Sequence, residues 1–158
     1  MNESSPLIKQ AFLKMAKYCA MGEKSSFQVG QKLTKYGLSE VDKESIIDRL
    51  TNEGFLSEER FSTAFTNDKF QFNKWGKIRI RMELKHHRIS EQHIELALSQ
   101  LNEASYKDML AQLIQGKWSL LASEEQYLKR KKKTLDFVIR KGFEPSLCFN
   151  LFDEHVSS

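Results

Sequence analysis

The side chains with the chemistry for catalysis or metal binding are four histidines, His86, His87, His93 and His155, two adjacent carboxylate pairs, Glu58-Glu59 and Glu124-Glu125, and two cysteines, Cys19 and Cys148. Neighbouring histidines on a helix point about 100° apart, a poor arrangement for one metal ion, so the four are read as solvated surface groups. Both carboxylate pairs stand where a helix is expected to begin, and the helix dipole favours acids there without any catalytic duty. The cysteines lie too far apart in sequence for a disulfide framework or a CxxC site, and two unrelated thiols fit a reducing compartment. The seven glycines, at positions 22, 30, 37, 54, 76, 116 and 142, never approach the spacing of a phosphate-cradling loop. No serine stands in a GxSxG elbow. These patterns point to a protein that is not an enzyme and needs no cofactor and no metal.

Cations carry the stronger signal. The chain has a net charge of +4, and residues 1–73 hold equal numbers of basic and acidic side chains, so the whole excess lies in residues 74–158. On a helix beginning near Trp75, residues Lys74, Lys77, Arg81, Lys85 and Arg88 share an arc of about 80°. Trp75, Ile78 and Met82 flank it on one side and Ile80 and Leu84 on the other, which predicts packing on both flanks. Further on, Lys129, Lys132, Lys133 and Arg140 share a second arc, opposite Leu128, Leu135 and Ile139. Such stripes suit phosphate contacts without sequence preference, or an acidic protein surface. Phe61, Phe65, Phe70, Phe72 and Trp75 recur beside the first stripe and are read mainly as core.

The elements that must position these residues are helices. Of 158 residues 40% are hydrophobic and 29% charged, with seven glycines and two prolines, a helix-favouring composition long enough for a self-sufficient core. No apolar run is long enough to cross a membrane and no leader pattern opens the chain, so a cytoplasmic location is expected. Apolar spacing and turn signals predict nine helices. Gly37 stops one, Ser39 and Ser57 start others, Ser57 with a staple of Leu56 and Phe61, and Ile89-Ser90-Glu91 with Ile94 repeats that design. Ser123 with Gln126 has the form of a capping box, and Glu144-Pro145 opens the last helix.

One pattern recurs three times at about 50-residue spacing: Leu33 to Gly37-Leu38, Leu84 to Arg88-Ile89, and Val138 to Gly142-Phe143. A short helix follows each, carrying Ile46 and Leu50, Ile94 and Leu98, or Leu147 and Leu151 at a four-residue step. The fold expected is all-α: three tandem three-helix repeats, residues 1–54, 55–103 and 104–158, in an elongated, curved array.

The segment Leu56 to Ile89 resembles the central repeat of the RecX family of recombination regulators, through Glu58-Glu59, Arg60-Phe61, Phe65, Gly76 and the run Ile78-Arg79-Ile80-Arg81 to Glu83-Leu84. Lys133 and Arg140-Lys141-Gly142-Phe143 resemble the family's third repeat, and Glu23, Ser25, Lys32, Leu33 and Gly37 its first. The chain departs from the family at Arg88, where glycine is usual, and at Met21-Gly22, where a basic pair often stands. The resemblance implies three tandem three-helix repeats lying in the groove of a RecA nucleoprotein filament and inhibiting filament extension, ATPase, strand exchange and coprotease activity. From the residues themselves, the basic faces are expected to contact single-stranded and also double-stranded DNA, and a monomer without membrane contact is expected. The residues expected to meet filament or DNA are Lys74, Lys77, Arg79, Arg81, Lys85, Arg88, Lys129, Arg130, Lys132, Lys133 and Arg140. A stand-alone helical DNA-binding protein using the same basic half is the alternative.

Overall fold

A computed structural model describes residues 5–156. It is all-α: among the described residues there is no strand, and the helices are α1 (Pro6–Ala20), α2 (Ser26–Leu33), α3 (Glu40–Asn52), α4 (Glu58–Gln71), α5 (Lys77–His86), α6 (Glu91–Ser99), α7 (Glu103–Leu120), α8 (Tyr127–Arg140) and α9 (Pro145–His155), with a 3-10 turn at Thr34–Tyr36. Local chemistry sets most boundaries. Ser39 and Asn102 each accept a hydrogen bond from the backbone N–H three residues on, Ser57 does the same for Arg60, and Pro6 and Pro145 occupy first-turn positions where the missing N–H costs nothing. Ser25 and Gln28 form a reciprocal capping box at α2.

The box expected at Ser123 and Gln126 does not form. The chain leaves α7 through hydrogen-bonded turns at Leu121, Ala122 and Glu124, so α8 starts only at Tyr127 and Gln126 gives it no side-chain cap bond. The Gln126 N–H donates instead to the Glu124 carboxylate.

Two compact units divide the chain, and the division falls within α4, α5 and α6. One unit runs through Phe65 and includes Leu84–Ile94. Its core is built on Ile8, Phe12 and Met15 from α1, Val29 and Leu33 from α2, and Ile46 and Leu50 from α3. The other comprises Thr66–Glu83 and the chain from Glu95 onward, with Tyr106, Leu110 and Ile114 of α7 buried along with Leu135, Val138, Phe143, Cys148 and Phe152. Each fully buried Leu or Ile contributes about 2 kcal/mol.

The three stops matched in the sequence share one backbone state. Gly37, Arg88 and Gly142 have φ of 67°, 61° and 102°. At two of them the closing bonds correspond residue for residue: the Arg88 N–H donates to Lys85 and the Ile89 N–H to Leu84, while the Gly142 N–H donates to Ile139 and the Phe143 N–H to Val138. That pair of bonds is the Schellman ending, which needs a left-handed residue at its turn.

Candidate nucleic-acid interface

Helix α5 begins at Lys77 and ends at His86, so Lys74 and Arg88 fall beyond its two ends and the continuous five-residue stripe is not realised. Both are non-glycine residues at positive φ, 57° and 61°, and the left-handed turn swings each off the helical arc. Three of the five remain on the helix. Arg81 pairs with Glu95, and the Lys85 amine lies 3.8 Å from Glu91. The Lys77 amine sits 4.8 Å from the centre of the Tyr106 ring, and the Arg79 guanidinium 4.2 Å from that of Trp75. Arg88 lies 4.9 Å from the Phe27 ring centre. Only one apolar flank of α5 packs: Ile80 and Leu84 are fully buried, whereas Ile78 and Met82 are exposed. A helix of ten residues has room to bury one stripe, and here the Ile80–Leu84 stripe takes it.

On α8 the densest run of charge divides by role. Arg130 donates to the Trp118 carbonyl through two nitrogens, at 3.0 and 2.7 Å, with its guanidinium 3.8 Å from the Trp118 ring centre, so it serves as a tie between α7 and α8. Lys132 pairs with Asp136 at 2.7 Å and Lys133 with Glu124 at 3.1 Å. The hydrogen bond from Lys133, together with that from Gln126, holds the Glu124 carboxyl below its usual range. Leu128, expected on the apolar face, is exposed. Lys129 and Arg140 are exposed, and no ion pair joins either to a carboxylate among the described residues.

Aromatic residues follow the sequence reading except one. Phe61 and Phe70 are buried, Phe65 and Trp75 half-buried, and Phe72 is exposed. His87 is not a solvated histidine: its ring is half-buried, with centroids 5.1 Å from Phe61, 5.5 Å from Phe65 and 6.3 Å from Phe27, and its Nδ1 is 3.0 Å from Ser25 Oγ. A serine so close to an imidazole has the spacing of a nucleophile and its base. Here Ser25 is 2% exposed and its oxygen caps α2, which gives it a structural role. His93 lies 3.3 Å from the Glu58 carboxylate, which also accepts from the Ser90 N–H, so Glu58 joins the starts of α4 and α6. Arg60 pairs with Glu23 at 3.0 Å, a charge contact beside the turn at Met21-Gly22.

What positions the start of α5 was invisible in the sequence. Its first donors all end on residues that follow α6: the Gly76 N–H on the Lys141 carbonyl, the Lys77 N–H on the Tyr106 hydroxyl and the Ile78 N–H on the Gly142 carbonyl, each at 2.9 Å. Tyr106 in turn donates to Glu144, and burial, then that carboxylate, pushes its phenol pKa upward. The backbones meet with no space for side chains. A Cβ at Gly76 would lie 2.3 Å from Gly142 C and Phe143 N, and one at Gly142 2.4 Å from Arg79 Cβ. Lys141, absent from the residues expected to meet DNA, donates to the Asn73 carbonyl at 2.9 Å.

The chain is all-α, and comparison with known proteins agrees with a fold of helical repeats. Residues 57–98 match the family model described as RecX, second three-helix domain. The regulatory protein RecX of Herminiimonas arsenicoxydans is 29% identical over 130 residues, 80% of this chain and 80% of that one. That of Xanthomonas citri is 27% identical over 122 residues, 77% of this chain and 73% of its own. The crystal structure of RecX from Lactobacillus salivarius superposes with a TM-score of 0.84 at 16% identity, covering 96% of this chain and 98% of that one, and so shares the fold. Over about four-fifths of its length the chain is thus similar to regulatory proteins RecX. Its named relatives are regulatory proteins. Among the described residues no helix is long and apolar enough to cross a membrane.

Proposed function

We propose that the protein is a negative regulator of RecA, binding the RecA filament on single-stranded DNA and inhibiting its extension, ATPase, strand-exchange and coprotease activities. The observation that carries this reading is the similarity to regulatory proteins RecX over about four-fifths of the chain, in the fold of a solved RecX. A binder shifts a filament equilibrium only by its differential affinity for filament states or ends, so the chain needs recognition groups and no catalytic ones. Repeats in series supply several such points of contact. Lys74, Arg79, Lys129 and Arg140 are the cations best placed to serve, because binding through Arg81, Lys85, Lys132 or Lys133 must first displace a carboxylate of the chain itself.

DNA-dependent ATP hydrolysis by the cognate RecA on single-stranded DNA, with this protein titrated in, tests the reading. Inhibition well below one protein per RecA is expected. No inhibition at any ratio, with the helical content verified, would remove RecA as the target and leave the stand-alone DNA-binding array as the better reading.

A further inference from the structure

Three cations from two distant stretches of the chain converge beside the start of α5. Lys141 reaches back to the Asn73 carbonyl at 2.9 Å, which brings its amine next to Lys74. Gly142 abuts the backbone and Cβ of Arg79 so closely that Arg79 is held at the same place. The Arg79 guanidinium rests on Trp75, whose ring centre also has the Lys69 amine at 5.0 Å. Among the described residues, no ion pair links Lys74, Arg79 or Lys141 to a carboxylate. Burial, then Arg79 and Lys74, lowers the pKa of Lys141, so the three feel one another's charge. Like charges gathered without a counter-charge are unfavourable, and a backbone held left-handed at Lys74 adds to the cost. The arrangement is nonetheless tied in place by hydrogen bonds and ring contacts at every member but Lys74.

We propose that Lys74, Arg79 and Lys141 form a seat for a backbone phosphate of nucleic acid. The planar guanidinium, oriented by stacking on Trp75, offers the forked pair of donors that suits two phosphate oxygens, and the two ammonium groups add point charge around it. The α5 amides are not part of the seat, since Gly76, Lys77 and Ile78 already donate within the fold. A nucleic-acid strand also fits better than a peptide carboxylate, because each neutralised phosphate releases condensed counterions and successive phosphates can reach Lys77 and Arg140 nearby in sequence. The assignment rests on the filament reading for its source of DNA, and the experiment below separates the two.

The test compares four proteins: the parent, the pair Arg79→Gln with Lys141→Gln, the single Lys74→Gln, and a control pair at exposed lysines, Lys9→Gln with Lys107→Gln. Among the described residues Lys74 makes no hydrogen bond or ion pair, so its variant carries the test even where the pair destabilises the α5 start. Binding of a fluorescein-labelled oligothymidine is read by anisotropy across roughly 50–200 mM salt, and RecA ATPase inhibition is measured on the same samples. The seat predicts affinity at least about tenfold weaker in the Arg79 and Lys141 pair. The slope of log affinity against log salt should fall by about 0.7 for each phosphate no longer neutralised, with a smaller change for Lys74→Gln and none for the control. An equal change in the control, or none in either seat variant, overturns it. Binding of inorganic tripolyphosphate or polyglutamate by a parent that ignores the oligonucleotide also overturns it, in favour of a free phosphate or an acidic protein. Weakened DNA binding with undiminished RecA inhibition supports the seat and refutes its use on the filament.

Discussion

Arg88 carries a backbone conformation that its side chain disfavours. Its φ of 61° closes the α5 ending, and the corresponding position at the end of α8 holds Gly142. A left-handed residue with a Cβ costs about 1–2 kcal/mol, while the interaction between the Arg88 guanidinium and Phe27 returns about 0.5–1 kcal/mol. Arg88→Gly should therefore raise the melting temperature by about 1–3 °C, and Arg88→Ala should lower it, since alanine keeps the strain without the compensating ring. A scanning calorimetry trace on both variants checks the sign. Cys148 gives a second prediction. Burial, then the Glu144 carboxylate, pushes its thiol up to about 12 from 9.0. The folded chain thus holds this proton more tightly than the unfolded one, and the stability it contributes is complete below pH 9 and is lost as pH rises toward 12. Thermal unfolding at about pH 8 and about pH 10.5 should show the drop, with Cys148→Ala showing less of it. At this scale the sequence disclosed the stop positions through their spacing. It did not disclose His87, whose aromatic surroundings come from Phe27 and Phe61, residues far away in the chain.

Helix identity was legible because apolar spacing, serine caps and Gly or Pro punctuation all act within a few residues. The failed cap at Ser123 and the short α5 were not, since each is decided by contacts across the chain. Lys74 looked helical by period, yet the start of α5 is fixed by carbonyls at Lys141 and Gly142, more than sixty positions later. This junction predicts unequal costs for one kind of substitution. Gly37 has open space around it, so Gly37→Ala should cost about 1–2 kcal/mol for its φ alone. Gly76 has no such space, and Gly76→Ala forces two backbones apart, costing at least about 3 kcal/mol. Urea unfolding of the two variants checks the order, and equal midpoints would contradict the observed close approach.

Across the molecule, the basic excess that the sequence located in residues 74–158 is only partly available. Some partners were readable, such as Asp136 four residues after Lys132. Others required the fold, as when Glu124 reaches Lys133 across the turn before α8. Counting charge therefore missed which cations are already paired, and it omitted Lys141, whose neighbours Lys74 and Arg79 are local to one another but remote from it in sequence. Because the cations left without a carboxylate partner lie at or near the surface, binding to a polyanion should weaken steeply with salt, by about a decade or more between 50 and 200 mM. A titration of RecA inhibition over that range checks it.

The bare seam between Gly76 and Gly142 also bears on descent. Neither position can gain a side chain while the other's backbone stretch stays where it is. Selection must therefore treat the two glycines as one inherited character, and a lineage that replaces the first should have rebuilt the turn at the second.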